Sequence, residues 1–494
     1  MSPVVVRNPG VSAMSAYVPP FRVRLQDWCE WTGNSWDKIR VVVGRSFRIP
    51  GKHENVYTMA ANAVLRLIIQ NKVDPTSVGF LGLGTESSTD NAIGTVIVRG
   101  MVDRGLEQLG YPRLSRHCEV PEFKHACLGG IYALKAAQRF VAYDGAGKVA
   151  IVVCADVAEY ERGSTGEQTQ GAGAVALLVT EEAKMFELDL LHAGSASDYR
   201  GPDFRKPFSR HFHEAYAPGV TRLTDFPVFS GKYSTYSYLD ETVHAVEDMM
   251  RKLNVSAGKY YRSLHSLFFH RPYEMMPVQA MSFLYVRGMA RGDHYQDELK
   301  ALCQEAGVTV EAVMKEALST PDLYQMVTDH GAEVGDPYQA TTALAGLVRK
   351  KQEFRDLLAA KMNLGAATVR DLGNLYSAAL PVWIAAGFEE AAEKDIDITE
   401  RAMVAVGYGS GDAAEAIPIK PVQGWKEAAS RIGLVSALNN AVDLTREQYE
   451  AIHDGRDVQG LTYVPSSEFM ITHVGNKYDA SFQDLGIEYY KYVG

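Results

Sequence analysis

Short apolar runs rich in β-branched residues alternate along this chain with longer stretches in which apolar residues recur at helical spacing. This alternation constrains the fold more than any other feature, because it is typical of a sheet whose faces are covered by helices. It predicts an α/β fold with strands at 78–84, 149–154, 172–179, 264–269 and 402–407. It predicts helices at 56–70, 129–142, 239–253 and 376–392.

One part of the chain departs from this alternation. Between residues 288 and 372 the sequence is charged, rich in Ala, Leu, Glu and Lys, and without β-rich runs. We interpret this stretch as a helical insertion or lid. A length of 494 residues allows several average domains, but no low-complexity linker or short repeat divides the chain. A single compact unit is therefore favoured.

Composition argues against several classes of protein. With 46% hydrophobic residues the chain can bury a large core, and a net charge of −10 without a long Lys/Arg block argues against a nucleic-acid partner. The five cysteines and thirteen histidines form neither a disulfide framework nor a metal-binding motif, so we expect no metal and no cofactor. The first ten residues do not resemble a secretory signal, and the apolar runs are too short for a membrane span, which favours a cytoplasmic protein.

Cys127 is the first candidate for chemistry. It lies in the sequence HACLGG, just before two glycines and a stretch of good helix formers. A thiol at a helix N-terminus is close to unpaired backbone N–H groups, which favour the thiolate and lower its pKa. Gly129 and Gly130 let a ligand or another backbone segment approach the sulfur. The alternative is that Cys127 is a small residue of the core.

Glu86 directly follows the predicted strand at 78–84, in the sequence GLGTES. A carboxylate at the end of a buried strand is partly desolvated, which raises its pKa toward that of a general base. A capping or salt-bridged surface glutamate is the alternative. The same letters resemble the start of a dinucleotide-binding loop, but Ser87 stands where the third glycine belongs, so Rossmann-type binding is not supported.

Three further segments place polar side chains or glycines beside predicted elements. His270 ends the strand at 264–269, where a histidine with a pKa near neutrality can donate a hydrogen bond to a carbonyl group. Asn374 precedes a helix and either caps it or helps to hold a developing oxyanion. The glycine loop around Ser410 either brings backbone N–H groups to an acyl or phosphate oxygen or is a plain tight turn.

In their order and context these segments resemble the 3-hydroxy-3-methylglutaryl-CoA (HMG-CoA) synthases, over nearly the whole chain. The most specific match is ADVAEY at 155–160 followed by TQGAGAVALLV at 169–179, which are similar to the family's GDIA…Y and TQGAGAVAMLI. Further matches follow in the family order: GTES around Glu86, ACxGG around Cys127, FHxPY at His270, GNLYS at Asn374 and GYGSG at Ser410.

The resemblance implies a thiolase-like fold, with two pseudo-equivalent halves in αβαβα layers, in a protein that forms a homodimer. We expect the halves at 1–181, with Glu86 and Cys127, and at 182–494, with the helical insertion. By the same resemblance, Cys127 accepts an acetyl group from acetyl-CoA, Glu86 removes a methyl proton, and His270 polarises acetoacetyl-CoA. The residues expected to bind these CoA thioesters are Tyr160, Thr169, Lys232, Asn374, Tyr408, Gly409 and Ser410.

The chain also departs from the family pattern. Leu128 follows the nucleophile where many members have Tyr, and EMMPVQ at 274–279 lacks the lysines that usually lie near CoA phosphates. Loss of these cations weakens anion binding. The segment PVFSGKYS at 227–234 resembles the family's PVVDGKLS, with Ser in place of Asp. Lys232 is retained, and Arg271 or the helical insertion is a candidate for the missing positive charge.

Three functions are compatible with these residues. The first is HMG-CoA synthase proper, feeding isoprenoid synthesis. The second is a homologue that performs the same condensation on a β-ketoacyl group carried by an acyl carrier protein, as in polyketide β-branching, or another acyl condensation. The third is a catalytically idle structural partner, which the joint presence of Glu86, Cys127 and His270 argues against.

Overall fold

A computed structural model describes residues 9–292 and 294–494. The prediction of no secretory signal rests on the first ten residues. Of these, residues 1–8 lie outside the described residues. The strands are, in chain order, β1 Gly10–Tyr17, β2 Phe21–Arg24, β3 Ser46–Ile49, β4 Val78–Gly84, β5 Glu122–Phe123, β6 Val149–Ala158, β7 Gly171–Thr180, β8 Phe186–Leu188, β9 Gly194–Ser197, β10 Ser266–Phe269, β11 Met403–Gly409, β12 Ala413–Pro421, β13 Val442–Asp443, β14 Glu468–Val474 and β15 Glu488–Val493.

The α-helices are, in chain order, α1 Leu25–Thr32, α2 Trp36–Val42, α3 Val56–Gln70, α4 Gly94–Gln108, α5 Gly129–Ala142, α6 Gly231–Leu253, α7 Ala257–Ser263, α8 Met275–Arg291, α9 Gln296–Ala306, α10 Val310–Ala317, α11 Leu323–His330, α12 Gln339–Val348, α13 Gln352–Lys361, α14 Ala366–Val369, α15 Ala379–Glu393, α16 Trp425–Ala429, α17 Leu434–Asn439 and α18 Arg446–Asp454. Short 3₁₀ helices lie at Pro75–Ser77, Glu167–Thr169, Phe208–Phe212, Gly331–Glu333 and Tyr376–Ala378.

The local sequence pattern predicted several of these elements well. The bounds of β4, α3 and α5 match the prediction, and β6, β7, β10 and β11 lie where strands were expected. The helix expected at 239–253 begins earlier, at Gly231, because Tyr233, Ser237 and Tyr238 are buried against other elements and tertiary packing holds this turn-forming sequence in a helix.

The large sheet contains ten strands in the order β10-β11-β12-β8-β1-β7-β6-β4-β5, with β9 paired to β12. Two parts of it repeat one pattern. In the first, β4 pairs in parallel with β6, which pairs antiparallel with β7. In the second, β10 pairs in parallel with β11, which pairs antiparallel with β12. This repetition agrees with the predicted α/β fold of two pseudo-equivalent halves.

Helices pack on the two halves in layers. Helix α3 lies on one face of the first half, α5 and α15 lie between the halves, and α6 and α8 cover the second half. Successive side chains of β6 point to opposite faces of the sheet. Ile151 and Val153 belong to the core beneath α3, whereas Val152 and Cys154 belong to the core around α5. The two central helices therefore begin close to both halves of the sheet.

The described residues between Met275 and Val369 form helices and no strand. This range includes the predicted insertion at 288–372 except for its last three residues. The division into halves at residues 181 and 182 stays a prediction. Within the described chain, no helix combines the length and the hydropathy needed to cross a membrane.

Candidate active site

Each half of the sheet contributes one strand end and one helix start to the same region. Glu86 lies two residues after β4, and His270 follows β10 directly. Cys127 lies two residues before α5, and Asn374 lies two residues before the 3₁₀ turn that leads into α15. The repeated architecture therefore brings together four side chains from four distant parts of the chain.

A cavity of about 300 Å³ lies at this junction. Seven of the ten predicted site residues line it: Cys127, Tyr160, Thr169, His270, Asn374, Tyr408 and Ser410. Glu86, Gly409 and Lys232 are not part of the lining. The cavity also has an apolar side formed by Val42, Val43, Phe204, Phe229, Tyr273 and Met276. Its size and lining suit a thioester arm with a small acyl group.

Cys127 and Glu86 are in direct contact. The Sγ atom of Cys127 donates a hydrogen bond to Glu86 Oε2 at 3.4 Å, and both residues are buried. The expectation that the helix N-terminus lowers the pKa of Cys127 was wrong. Burial raises this pKa well above its usual value, and the charges of Glu86 and Asp156 add to the rise. The side chain of Cys127 is therefore a neutral thiol beside a carboxylate.

The glycines after Cys127 are required by the protein itself. A Cβ atom on Gly130 would lie 2.4 Å from Cys154 Sγ and 3.1 Å from the backbone oxygen of Ser377. Gly409 packs equally closely against the residues before Cys127, because a Cβ on Gly409 would lie 2.7 Å from the backbone oxygen of His125. Close packing of the two halves therefore explains both glycines.

Glu86 is a buried carboxylate with an ion-pair partner. Its Oε1 atom lies 2.9 Å from the Nζ atom of Lys206. Burial raises the pKa of Glu86, the charge of Lys206 works against this rise, and Asp156 adds to it. A raised pKa is the property that a general base in this position needs. The alternative of an exposed surface glutamate is excluded, because only 5% of Glu86 is exposed.

His270 is neutral in this site. Burial lowers its pKa to about 3, so the expectation of a pKa near neutrality was wrong. The Nδ1 atom of His270 is buried and has no hydrogen-bond partner within the described chain. The imidazole lies beside the Tyr408 ring, with 6.2 Å between the centroids. A neutral imidazole can still donate one N–H to a substrate carbonyl.

Asn374 fixes the turn before α15 and also lines the cavity. Its Oδ1 atom accepts a hydrogen bond from Tyr376 N at 2.9 Å, which fixes the turn before α15. Its side chain also lines the cavity. Because the carbonyl oxygen is held by the backbone, the amide N–H groups are the part that remains to hold a substrate oxygen.

The remaining predicted residues differ in their placement. Tyr408 donates a hydrogen bond to Asp203 Oδ2 at 3.0 Å, which orients its ring along the cavity wall. Ser410 lies in the turn that joins β11 to β12, so the glycine loop is both a tight turn and part of the cavity lining. Lys232 is exposed near the start of α6, where its neighbour Gly231 reaches the cavity. Lys232 therefore lies near the rim rather than in the site.

Arg271 cannot supply a free positive charge. Its guanidinium is buried and donates to Glu274, the residue at the start of the segment that lacks lysines. Burial lowers the pKa of Arg271 to about 9, and the charges of Arg370 and Arg45 act in the same direction. The pair with Glu274 neutralises the cation, so an anionic substrate group gains little from it.

Two functional neighbours were missed by sequence reasoning. Lys206 lies in a loop segment whose letters carry no periodic pattern, so no local signal marked it. Asp156 did leave a signal in the sequence, because it is a charged residue within the otherwise apolar strand β6. In the structure it is completely buried. A buried charge in such a run must have partners, and Asp156 holds the backbone N–H groups of Glu86 and Ser87 at 2.8 and 2.9 Å.

The described residues contain no group of three or more His, Cys, Asp and Glu side chains that could hold a metal ion. The five cysteines are all free and buried.

The chain has a thiolase-like fold, and a cysteine lies at the wall of its cavity. Residues 5–184 match the family described as hydroxymethylglutaryl-coenzyme A synthase N terminal. A curated relative, hydroxymethylglutaryl-CoA synthase from Haloferax volcanii, is 26% identical over 443 residues, which cover 88% of this chain and 89% of the relative. The chain is therefore similar to the HMG-CoA synthases over most of its length, and the family model covers residues 5–184.

Two solved structures show the same fold along the whole chain. One is MvaS in complex with 3-hydroxy-3-methylglutaryl coenzyme A, with a TM-score of 0.74, 24% identity and coverage of 99% of both chains. The other is the HMG synthase of the curacin biosynthetic pathway in complex with holo donor-ACP, with a TM-score of 0.70 and 18% identity, covering 98% of this chain and 100% of that one.

Proposed function

We propose that this enzyme condenses acetyl-CoA with acetoacetyl-CoA to give 3-hydroxy-3-methylglutaryl-CoA and CoA. The observation that carries the proposal is the contact of Cys127 Sγ with Glu86 Oε2 at 3.4 Å, at the wall of a cavity that His270 and Asn374 also line. A nucleophile, a base and two hydrogen-bond donors around one space are what an acyl condensation through a covalent intermediate requires.

The first step transfers the acetyl group to the enzyme. Cys127 Sγ attacks the thioester carbonyl of acetyl-CoA, and the thiol proton passes to the departing sulfur of CoA. The C–S bond to CoA breaks, and CoA leaves with a proton. The raised pKa of Cys127 favours this coupled transfer, because a free thiolate is costly in the buried site.

The second step forms the carbon–carbon bond. Glu86 removes a proton from the methyl group of acetyl-Cys127, and the resulting carbanion attacks the ketone carbon of acetoacetyl-CoA. His270 and Asn374 donate hydrogen bonds to the ketone oxygen as negative charge develops on it. The proton that Glu86 took ends on this oxygen, which becomes the hydroxyl group, and Glu86 returns to its charged form. Water then cleaves the bond to Cys127 Sγ and restores the thiol. The sequence has no redox step, so no cofactor is part of the proposal.

The decisive experiment is incubation with both substrates and mass detection of the product. We expect 3-hydroxy-3-methylglutaryl-CoA from the wild type, and an acetyl group on Cys127 when acetyl-CoA is given alone. Cys127→Ala should abolish the acetyl adduct. Glu86→Ala should still form the adduct and fail to condense, because only the second step depends on that base. Loss of both activities in a folded Glu86→Ala enzyme would contradict the assignment of roles.

A second candidate function uses a carrier protein. The specific observation in its favour is that Glu274 neutralises Arg271 beside a segment without lysines, which weakens the case for strong binding of CoA phosphates. The curacin synthase of the same fold is solved with donor-ACP. Under this candidate, free acetoacetyl-CoA is a poor substrate and an acetoacetyl group on a carrier protein is a good one. A comparison of kcat/KM for the two acceptors separates the functions.

Two further expectations belong to the proposal. We propose that the enzyme works as a homodimer in the cytoplasm. Sedimentation of the purified protein tests the first expectation, and fractionation of the source cells tests the second. A monomer with full activity would contradict the dimer.

A further inference from the structure

The two oxygens of Glu86 have different neighbours. Oε2 accepts from the thiol of Cys127 at 3.4 Å, whereas Oε1 lies 2.9 Å from Lys206 Nζ. The carboxylate therefore lies between the reacting sulfur and a cation. Within the described chain, Lys206 is the one cation in an ion pair with Glu86.

Lys206 is held in this position by two other contacts. Its Nζ atom lies 2.7 Å from Asp225 Oδ2 and 4.8 Å from the centroid of the Tyr376 ring. The side chain is only 16% exposed. An ammonium group fixed from three sides keeps one geometry, so the oxygen that it binds is fixed as well.

The surroundings of Glu86 make a cation necessary. The residue is 5% exposed, and the completely buried carboxylate of Asp156 accepts from the Glu86 backbone N–H at 2.8 Å. Burial and a neighbouring negative charge both favour the protonated acid, which cannot accept a proton. Among the charged groups that act on Glu86, Asp156 and Asp225 favour its protonated form and Lys206 favours its charged form. The other titratable groups near it are the thiol of Cys127 and the phenols of Tyr160 and Tyr376.

We propose that Lys206 is a positioning residue for carbon–carbon bond formation: it fixes Oε1 of Glu86 and keeps the carboxylate charged, so that Oε2 faces the methyl group carried by Cys127. This inference rests on the proposed function. The methyl proton moves to Oε2, and the electron pair of the C–H bond forms the new C–C bond. Lys206 keeps its own protons throughout.

The first test reads the protonation of Glu86 without any substrate. Infrared difference spectra at pH 7 compare wild type with Glu86→Gln, and Lys206→Met with Lys206→Met/Glu86→Gln. We expect an ionised carboxylate for Glu86 in the first pair and a protonated carboxyl band in the second. Lys206→Arg should resemble the wild type. If Glu86 stays ionised in the Lys206→Met protein, the inference is wrong, whether or not the proposed reaction occurs.

The second test measures condensation against pH. Without the cation the pKa of Glu86 rises, so the base form is reached only at higher pH. We expect Lys206→Met to raise the pH at which kcat is half-maximal by at least one unit. With Lys206→Arg, which keeps the cation, most of this shift should disappear. Acetylation of Cys127 should stay within about fivefold of wild type. The exposed Lys184 provides a matched control, Lys184→Met, which should change neither property.

The outcomes separate the inference from the proposed function. A wild type that makes no product refutes the function, while the infrared spectra still decide the role of Lys206. A uniform loss of rate with an unchanged pH profile shows a merely structural residue and overturns the inference. Should Lys206→Met fail to fold, as judged by circular dichroism, Lys206→Gln is measured in its place with the same expected outcomes.

Discussion

Asp156 and Ser377 are 221 residues apart in sequence, and the carboxylate of Asp156 accepts a hydrogen bond from Ser377 N at 2.8 Å. The other carboxylate oxygen accepts from Glu86 N, Ser87 N and Thr85 Oγ1. One completely buried side chain thus joins the loop that carries the candidate base to the turn that follows Asn374. The relative position of the two halves at the site depends on this carboxylate.

Replacement of this carboxylate should damage both stability and activity. Asp156→Asn puts an amide N–H₂ where one oxygen accepted hydrogen bonds, so two or more buried donors lose their partner. We expect a loss of about 2–4 kcal/mol in the free energy of unfolding, measured by urea denaturation. Condensation should fall by more than about 100-fold because Glu86 and Asn374 move apart. The exposed Asp395 gives the control Asp395→Asn, which should cost less than about 0.5 kcal/mol.

His270 should make the protein less stable at acidic pH. Burial lowers its pKa from 6.5 to about 3, so the folded protein binds fewer protons than the unfolded chain between these values. Stability is therefore lost as the pH falls below 6.5. Between pH 7 and pH 5 the wild type should lose about 2 kcal/mol more than His270→Gln, as measured by urea denaturation. Equal pH slopes for the two proteins would contradict the neutral state of His270.

Gly130 and Gly100 form a matched pair of helical glycines. A Cβ on Gly130 would lie 2.4 Å from Cys154 Sγ, whereas a Cβ on Gly100 meets no atom within 4 Å. Gly130→Ala should destabilise the protein by about 1–3 kcal/mol and shift Cys127. Gly100→Ala should be neutral or stabilise it by up to about 1 kcal/mol.

A second substitution checks the cause of the Gly130 effect. Cys154→Ala removes the sulfur that the new methyl group contacts, so Gly130→Ala/Cys154→Ala should be more stable than the sum of the two single changes predicts. Thermal unfolding of the four proteins gives the coupling. Strict additivity would show that the contact with Cys154 is not the cause.

Lys135 and Glu415 form an ion pair in the core between α5 and β12. Their Nζ and Oε2 atoms are 2.6 Å apart, and the side chains are 9% and 3% exposed. Lys135→Met leaves a buried carboxylate unpaired and should cost about 3–5 kcal/mol of unfolding free energy. Lys135→Met/Glu415→Leu removes both charges and should recover at least half of that loss. A double variant no more stable than Lys135→Met would contradict this account.

Local pattern explains why part of the fold could be predicted. Strand β4 is a run of apolar residues, and α5 starts with a glycine pair that is followed by good helix formers, so the bounds of both elements follow from neighbours in sequence. The early start of α6 did not follow, because it depends on the burial of Tyr233 and Tyr238 against distant elements. The sequence predicted that Cys127, His270 and Asn374 come together at one site, and all three line the same cavity. Their catalytic roles stay predictions.

The amino-acid sequence by itself determined the alternation of strands and helices, the family resemblance and the candidate nucleophile, base and histidine. These features follow from residue types and from the spacing of residues that are close together in the sequence. Only the tertiary structure decided that Cys127 is a neutral thiol, that His270 is uncharged and that Lys206 binds Glu86. The physical reason is that desolvation and Coulomb interactions depend on which distant segments surround a group, and no local sequence pattern specifies them.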